Sequence, residues 1–520
     1  MTQAAFAQHA GHDPSGEAIE VGPGQEQPPA GSVSQDTAVE VHAGAAESMD
    51  HGGGNTDLIG LMHGRHASGT AWMPDSTPSY MHMWARERWQ LMLHGAAHLS
   101  YIEMNGPRGD KGVFGPNWLM FRGMRPEGCD GQLEFSGMFS LDPLTVGGAG
   151  YPLLFQTGET WKDQPLRDHQ HPHNYFSELS LKYKWRAGSD QAAYLYVAPV
   201  GEPALGPPAF MHRQFALEAP LSPIGHHWQD ATHIAYGVVT AGLQSPEWQF
   251  EASVFNGREP GEERYAIDEP TFDSFSGRLS WNPGKNVSMQ VSRGELKEPE
   301  ASHPGEDVTR TTASLIYNHD LGCDRNWQTA FVWGRNSTGQ ADFDSYLVES
   351  SLKQDGGWSP YFRLEWIEKN AEELVLPDPP FDHEETFALK QGTVGFSVDL
   401  GEQGDWQWGL GGAYVFNLSP SGLDPVYGSN PDGWIVYLRA HPRRMEHGGG
   451  MDHAGEMDHS GEMDHAAGME DSQPGGHMDE PAQATDAEDH ELTADSAEDG
   501  EGEVEAATPV PETQDGHEAH

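Results

Sequence analysis

From Trp89 to Ala440, apolar and polar residues alternate in run after run. Trp89, Leu91, Leu93, Gly95, Ala97, Leu99 and Tyr101 share one parity, while Gln90, Met92, His94, His98 and Ser100 share the other. A strand turns successive side chains to opposite faces, so this is a long strand with one apolar and one polar face. The pattern returns in Leu133, Phe135, Gly137, Phe139, Leu141; in Tyr175, Leu179, Leu181, Tyr183, Trp185; in Trp248, Phe250, Ala252, Val254; and in Phe275, Gly277, Leu279, Trp281. It returns again in Trp358, Phe362, Leu364, Trp366; in Trp406, Trp408, Leu410, Gly412, Tyr414, Phe416; and finally in Trp434, Val436, Leu438, Ala440. About sixteen such segments fit between Trp89 and His441, many near the roughly 9–11 residues with which a tilted strand crosses a bilayer.

The connections alternate in length. Short ones lie near 125–131, 187–190, 243–247, 282–286, 319–326, 353–357 and 400–405. Long ones lie near 104–116, 142–174, 198–229, 258–271, 295–307, 369–385 and 418–432, with a middling one near 336–341. Short turns on one rim, long loops on the other and aromatic residues near many strand ends predict an all-β fold: an antiparallel up-and-down transmembrane β-barrel of about sixteen strands. A soluble sandwich or barrel also alternates, but so long a meander with this loop rhythm is less expected there. With the long loops outward, the chain enters its first strand and leaves its last at the periplasmic rim of a Gram-negative outer membrane.

Three regions follow: a flexible Met/His/Gly-rich arm over 1–86, the barrel over 87–441, and a disordered acidic tail over 442–520. Both arms are expected in the periplasm. The chain carries 80 acidic and 29 basic residues, a formal charge of −51; after Pro442 stand 23 acidic residues and two Arg, or −21. Such a balance excludes nucleic acid as a partner, because phosphate binding needs a basic face. A mean hydropathy of −0.64 and the lack of a long uncharged apolar run exclude a transmembrane helix, not a barrel. At the N-terminus, Ala5-Phe6-Ala7 looks like the last residues of a signal and its small-x-small cleavage site. Cys129 and Cys323 both occur as Gly-Cys-Asp in short turns eight strands apart, too far for a disulfide.

The soft donors are Met and His. A six-residue repeat follows the barrel: Met445-Glu446-His447, then Met451-Asp452-His453, Met457-Asp458-His459 and Met463-Asp464-His465. Thioethers select Cu(I), imidazole suits Cu(II), Zn and Ni, and copper stands highest among the divalent ions. Met49 and His51 repeat the unit in the first arm, ahead of Met62, His63, His66, Met81, His82 and Met83. Within a long loop, His169, His171 and His173 occupy alternate positions and point the same way if the segment is extended. Met211-His212 and His226-His227 join them if both very long loops fold into the lumen, where Met92, His94 and His98 of the first strand also face.

Met49-Asp50-His51 and the repeats from Met445 to His465 give the chain a resemblance to the copper resistance protein B family, which pairs a Met/His/Asp-rich periplasmic extension with a barrel. The barrel here is larger and the clearest repeat follows it. The resemblance implies copper, as Cu(I) or Cu(II), or another soft or borderline metal. It implies outer-membrane lipid and a periplasmic metal carrier or efflux component as partners, and metal resistance by sequestration or export. No enzyme is expected: nucleophile elbow, phosphate loop and dinucleotide fingerprint are absent, and His383-Glu384-Glu385-Thr386-Phe387 lacks the second His of a zincin helix. The rival reading is a general porin or solute channel with incidental tails. A porin keeps an open polar lumen, whereas a metal-handling barrel presents Met and His along a plugged or narrow path.

Overall fold

The computed structural model describes residues 56–445. Met49, His51, His447, Met451, His453, Met457, His459, Met463 and His465 lie outside them. Sixteen strands follow one another up and down: β1 (Trp89–Met104), β2 (Asn117–Glu127, preceded in line by Lys111–Phe114), β3 (Gly131–Phe139), β4 (Phe176–Arg186), β5 (Ala192–Gly201), β6 (Ala235–Gln244), β7 (Trp248–Phe255) and β8 (Ser274–Gly284). The second half is β9 (Val287–Leu296), β10 (Val308–Gly322), β11 (Arg325–Ser337), β12 (Asp342–Gln354), β13 (Trp358–Asn370), β14 (Thr386–Gln403), β15 (Trp406–Leu418) and β16 (Asp432–Pro442).

The sheet closes where β1 meets β16, from Ala97↔Ala440 to Met104↔Gly433, while its other edge pairs with β2 from Gln90↔Met124 to Ala97↔Asn117. A short strand, Met81–Arg86, lies beside the first half of β1, Met81 opposite His94, in line with β16 through the Tyr80–Arg444 bridge. Closure leaves no long unpaired edge.

Burial runs opposite to that of a soluble protein. Leu99, Phe250, Phe275, Leu364, Val394, Leu410 and Leu438 are exposed on the outer face. Residues of the opposite parity turn inward and are buried: Glu251, Arg278, Arg310, Arg363 and Arg439 among them. Exposing each large aliphatic side chain to water forfeits about 1.5–3 kcal/mol, so an outer wall of this kind is stable only in lipid. Tyr183, Trp185, Trp281, Trp327, Trp358 and Trp408 ring the end with short turns, and Tyr101, Tyr346, Tyr414 and Trp434 the other. This is the aromatic girdle of an outer-membrane barrel.

Every expected short connection is found between the strands. At the β10–β11 turn Cys323 and Asp324 both take positive φ, +52° and +58°, the two-residue hairpin geometry that matches strand twist. Cys129 and Cys323 are free, exposed thiols in turns of this same rim.

Two segments fill the lumen, and one of them departs from the sequence expectations. Residues 56–80, read as part of a flexible arm, instead fold inside the short-turn end. Asp57 is held 2.6 Å from Lys184 of β4, Arg65 lies 2.5 Å from Asp75, Arg278 of β8 donates to Thr70 at 2.9 Å, and Asn282 donates to the Met73 carbonyl at 3.0 Å. Single polar bonds to scattered wall residues make no sequence pattern, so periodicity could not announce them. The second is the connection over 202–234, which folds into the lumen as the joining of its histidines requires: it crosses the interior and is buried almost throughout. Arg213 reaches Glu349 of β12 at 2.5 Å, Glu218 meets Lys353 of β12 at 3.0 Å and Arg439 of β16 at 3.1 Å, and Arg363 of β13 donates to the Leu221 and Ser222 carbonyls. Around it lies the largest apolar cluster, including Leu153, Leu154, Phe155, Phe215, Ile224 and Trp228 with Tyr361, Leu389 and Tyr437 from the wall.

Candidate metal centre

The loop over 140–175 is shaped by Asp168. This residue takes a left-handed conformation, φ +56°, its carboxylate accepts the Phe155 N–H at 2.9 Å, and Arg108 lies 3.3 Å away. The clamp brings Tyr151–Pro152 alongside His169–Gln170 as a two-residue ladder. The ladder stops there, so the alternate histidines do not all share a direction. His169 turns to the surface beside Asp110 at 3.4 Å, while His171 and His173 turn inward. The expectation that His169, His171 and His173 act together is corrected in this respect: extension ends at Gln170, and only the last two enter the interior.

From the lumen-crossing loop, the short helix His226–Gln229 presents His226 and His227. Trp228 lies so close to β11 that a Cβ on Gly334 would stand 2.1 Å from its carbonyl oxygen. Asn336 donates to the His227 carbonyl at 3.1 Å and Gln229 to Ser345 at 2.7 Å, fixing the helix to β11 and β12. On the other side, Gly158 (φ +104°) lets the first loop pass the His227 ring, which a Cβ there would meet at 2.7 Å.

The two loops therefore bring His171, His226 and His227 together, each offering a ligand atom within 4.8 Å of the others. Behind each ring stands a carboxylate facing Nδ1: Glu159 at 3.3 Å from His171, Asp230 at 2.7 Å from His226, and Glu259 at 3.1 Å from His227. Of the three, His226 makes this contact as a hydrogen bond, Nδ1–H to Asp230, while Nδ1 of His171 also faces the Pro172 carbonyl at 3.3 Å; an Nδ1–H so donated fixes the tautomer and leaves the Nε2 lone pair free for a metal. Nε2 of His171 and of His227 is buried with no hydrogen-bond partner among the described residues. A buried polar atom without a partner is uncommon and calls for an occupant.

Two further imidazoles extend the group. His173 donates to Asp142 at 2.8 Å and His233 to the Asp230 carbonyl at 2.7 Å, and each keeps a buried, unpartnered Nε2. Ring centroids step from His171 to His227 (5.4 Å), His226 (5.1 Å), His233 (5.0 Å) and His173 (5.5 Å). Asp230 ties the assembly together, since its carboxylate also accepts from the Phe210 N–H at 2.8 Å and Arg213 at 3.1 Å.

Burial holds His171 well below the usual imidazole range, and Arg264 nearby adds to the effect. It also lowers His226 against the pull of Asp230, and takes His233 down to about 3. His227 is the exception: burial opposes its charge, but Glu259 overcomes it and raises the group. Neutral imidazoles with oriented lone pairs are the ligands that Zn, Cu and Ni take.

The other expected residues disperse. His63 bonds Gln90 at 2.7 Å, His66 faces Asp57 at 3.7 Å, and Met62 is half-buried beside them. Met81 and Met83 sit on the short strand, and His82, exposed between them in sequence, stacks on Trp84 and lies 3.5 Å from Asp405. None of these joins the histidine centre. Sequence reasoning missed His233, Asp230, Glu159 and Glu259. Asp230 carries a signal, four residues after His226, the spacing of one helical turn; the two glutamates, in separate loops, carry none. A second group, Glu300, His303 and Glu373, lines a cavity of about 720 Å³ among the long loops. There Glu300 and Glu373 raise His303 to about 9 despite its burial, so an imidazolium already fills the place of a cation.

No known protein family matches the chain, and no curated protein is similar to it in sequence. Among solved structures it is similar to an anion-selective porin from Comamonas acidovorans (11% identity, 68% of this chain and 99% of that one, TM-score 0.42). It is also similar to Salmonella typhi OmpF in complex with daunomycin (10%, 69% and 100%, 0.44) and to the outer-membrane channel DcaP of Acinetobacter baumannii (8%, 69% and 98%, 0.39). The likeness is one of barrel architecture.

Proposed function

We propose that this chain is an outer-membrane channel whose lumen is occupied by its own loop and N-terminal segment and is built around a site for a transition-metal cation, copper or another borderline metal. The observation that carries the reading is the meeting of His171, His226 and His227 inside the barrel, their Nδ1 atoms backed by three carboxylates. Burial favours the neutral, metal-binding form of His171 and His226, the cation takes the place of the proton that Glu259 favours on His227, and the carboxylates offset its charge in a buried place. The long loops face outward and both arms the periplasm. There the Met/His/Asp repeats from Met445 to His465 gather the same ions at low affinity and high capacity, each repeat offering a thioether, a carboxylate and an imidazole. Sequestration there, or exchange with a periplasmic carrier or efflux component, gives metal tolerance.

The second reading is a general solute channel. Sixteen strands and a polar inner wall are what an aqueous pore requires. The two readings part at the lumen, which an open pore leaves free and which residues 56–80 and 202–234 enter here. The test compares copper tolerance, cell-associated copper and small-solute permeability in wild type, a truncation after Pro442, and the triple variant His171→Ala, His226→Ala, His227→Ala. The metal reading expects changed copper handling in the triple variant at unaltered outer-membrane abundance. Unchanged copper handling in both variants, together with ready passage of uncharged solutes through wild type, overturns it in favour of the general channel.

A further inference from the structure

A second cluster of metal donors lies nearer the short-turn end, where residues 64–81, the start of β1, Trp118 and the lumen-crossing loop enclose a cavity of about 70 Å³. Met73, Met81, His94, Met211 and His212 line it. His66 also borders it but turns Nε2 toward Asp57. The His212 ring stands 5.5 Å from His94 and 4.6 Å from Trp118, and its Nε2 is buried with no hydrogen-bond partner among the described residues. Met120 and Met138, both buried, stand behind Met211 in one apolar cluster.

What distinguishes this cavity from the histidine centre is charge. Its lining contains no carboxylate and no ammonium or guanidinium group, whereas the histidine centre is ringed by Glu159, Asp230 and Glu259. A buried divalent ion without counter-charge is costly to desolvate, and a singly charged soft ion on neutral polarizable donors far less so. Thioethers select soft ions, and the face of Trp118 beside His212 is favourable to a cation. The packing alternative is that Met73, Met81 and Met211 simply fill irregular space, as methionine often does. It leaves the unpartnered His212 nitrogen without a purpose.

We infer that Met73, Met81, His94, Met211 and His212 form a separate site for one soft monovalent cation, Cu(I) or Ag(I), within the barrel. The inference stands whether or not the histidine centre binds a metal. Because donors come from the N-terminal segment, from β1 and from the loop, an ion there would join the two segments that enter the lumen.

The test is methyl NMR of the full chain in detergent micelles, with ¹³C-methyl methionine and silver nitrate in chloride-free buffer. Resonances are assigned by single Met→Leu variants. The site expects the methyls of Met73, Met81 and Met211 to shift together and saturate at one Ag(I), while Met104, outside the cavity lining, does not move. Met211→Leu with His212→Ala should abolish the shifts of Met73 and Met81. The triple His171/His226/His227→Ala variant should keep them, which separates this site from the histidine centre. Should Ag(I) shift only the methyls of Met451, Met457 and Met463, the inference is wrong. It is equally wrong if Met73, Met81 and Met211 respond in wild type but Met73 and Met81 still do so in the folded double variant.

Discussion

Replacing Glu259 by Gln probes how the centre is built rather than whether it exists. Glu259 faces Nδ1 of His227 at 3.1 Å, and the change keeps its shape while removing its charge. With a metal about 2.0–2.1 Å beyond Nε2, the carboxylate lies roughly 7 Å from the ion. Coulomb attraction for a divalent ion at an effective dielectric of about 20 is then about 5 kcal/mol. That figure is a ceiling, because Arg310, 3.8 Å from the other carboxylate oxygen, already offsets part of the charge. Carboxylates behind metal-bound histidines are worth 10–100-fold in affinity, and the Arg310 contact places Glu259→Gln toward the lower part of that range. The assay is competition titration with Zn(II) on the full chain at pH 8. The centre is read as the tight class of sites that His226→Ala with His227→Ala removes. An unchanged affinity in that class, with the variant still folded, would refute the claim that the carboxylate orients and strengthens its ligand.

Other outcomes test the frame around the site. Lys353→Met removes one of two cations on the buried Glu218, leaving Arg439 at 3.1 Å; breaking such pairs costs about 3–5 kcal/mol, and the lower end is expected. Hydrogen exchange should then quicken in residues 213–222 and single-channel conductance should rise; unchanged values in both would show that this ion pair does not hold the loop. Cys129 and Cys323, exposed on the short-turn rim, should resist a 5-kDa maleimide polymer in intact cells and react once the outer membrane is permeabilised. Labelling in intact cells would invert the orientation. His303 is raised to about 9 against an unfolded value near 6.5, so its ion pairs with Glu300 and Glu373 stabilise fully below about pH 6.5 and cease to do so as pH rises through about 9. Hydrogen exchange in residues 297–307, corrected for its intrinsic pH dependence, should therefore quicken between pH 7 and 10, and equal protection at both would contradict that role.

Alternation made the barrel legible because a strand's period of two must appear in sequence wherever one face meets lipid and the other does not. Turns were legible for a related reason: Asn282-Pro283-Gly284 and Gly356-Gly357 interrupt the alternation where the chain reverses. The filling of the lumen was not. Residues 56–80 are fixed by individual bonds such as Asp57 to Lys184, 127 positions apart, and no local pattern encodes them. His171, His226 and His227 could be marked as candidates by type, and their meeting was conditional on both loops folding inward. His169 shows the limit of that reasoning, since an extended segment was needed and the ladder ends one residue later. Met73, His94, Met211 and His212 were visible as residues, but only the fold brings three separate segments around one cavity.

The central claim is that the interior of this barrel binds a transition-metal cation through histidine. Anomalous diffraction from crystals of the full chain, grown with Cu(II) or Zn(II) and recorded on both sides of the metal's absorption edge, tests it most directly. The account predicts a peak between Nε2 of His171, His226 and His227, lost when the three are replaced by Ala. A barrel that carries no peak at that position while metal is present in the crystal would contradict it.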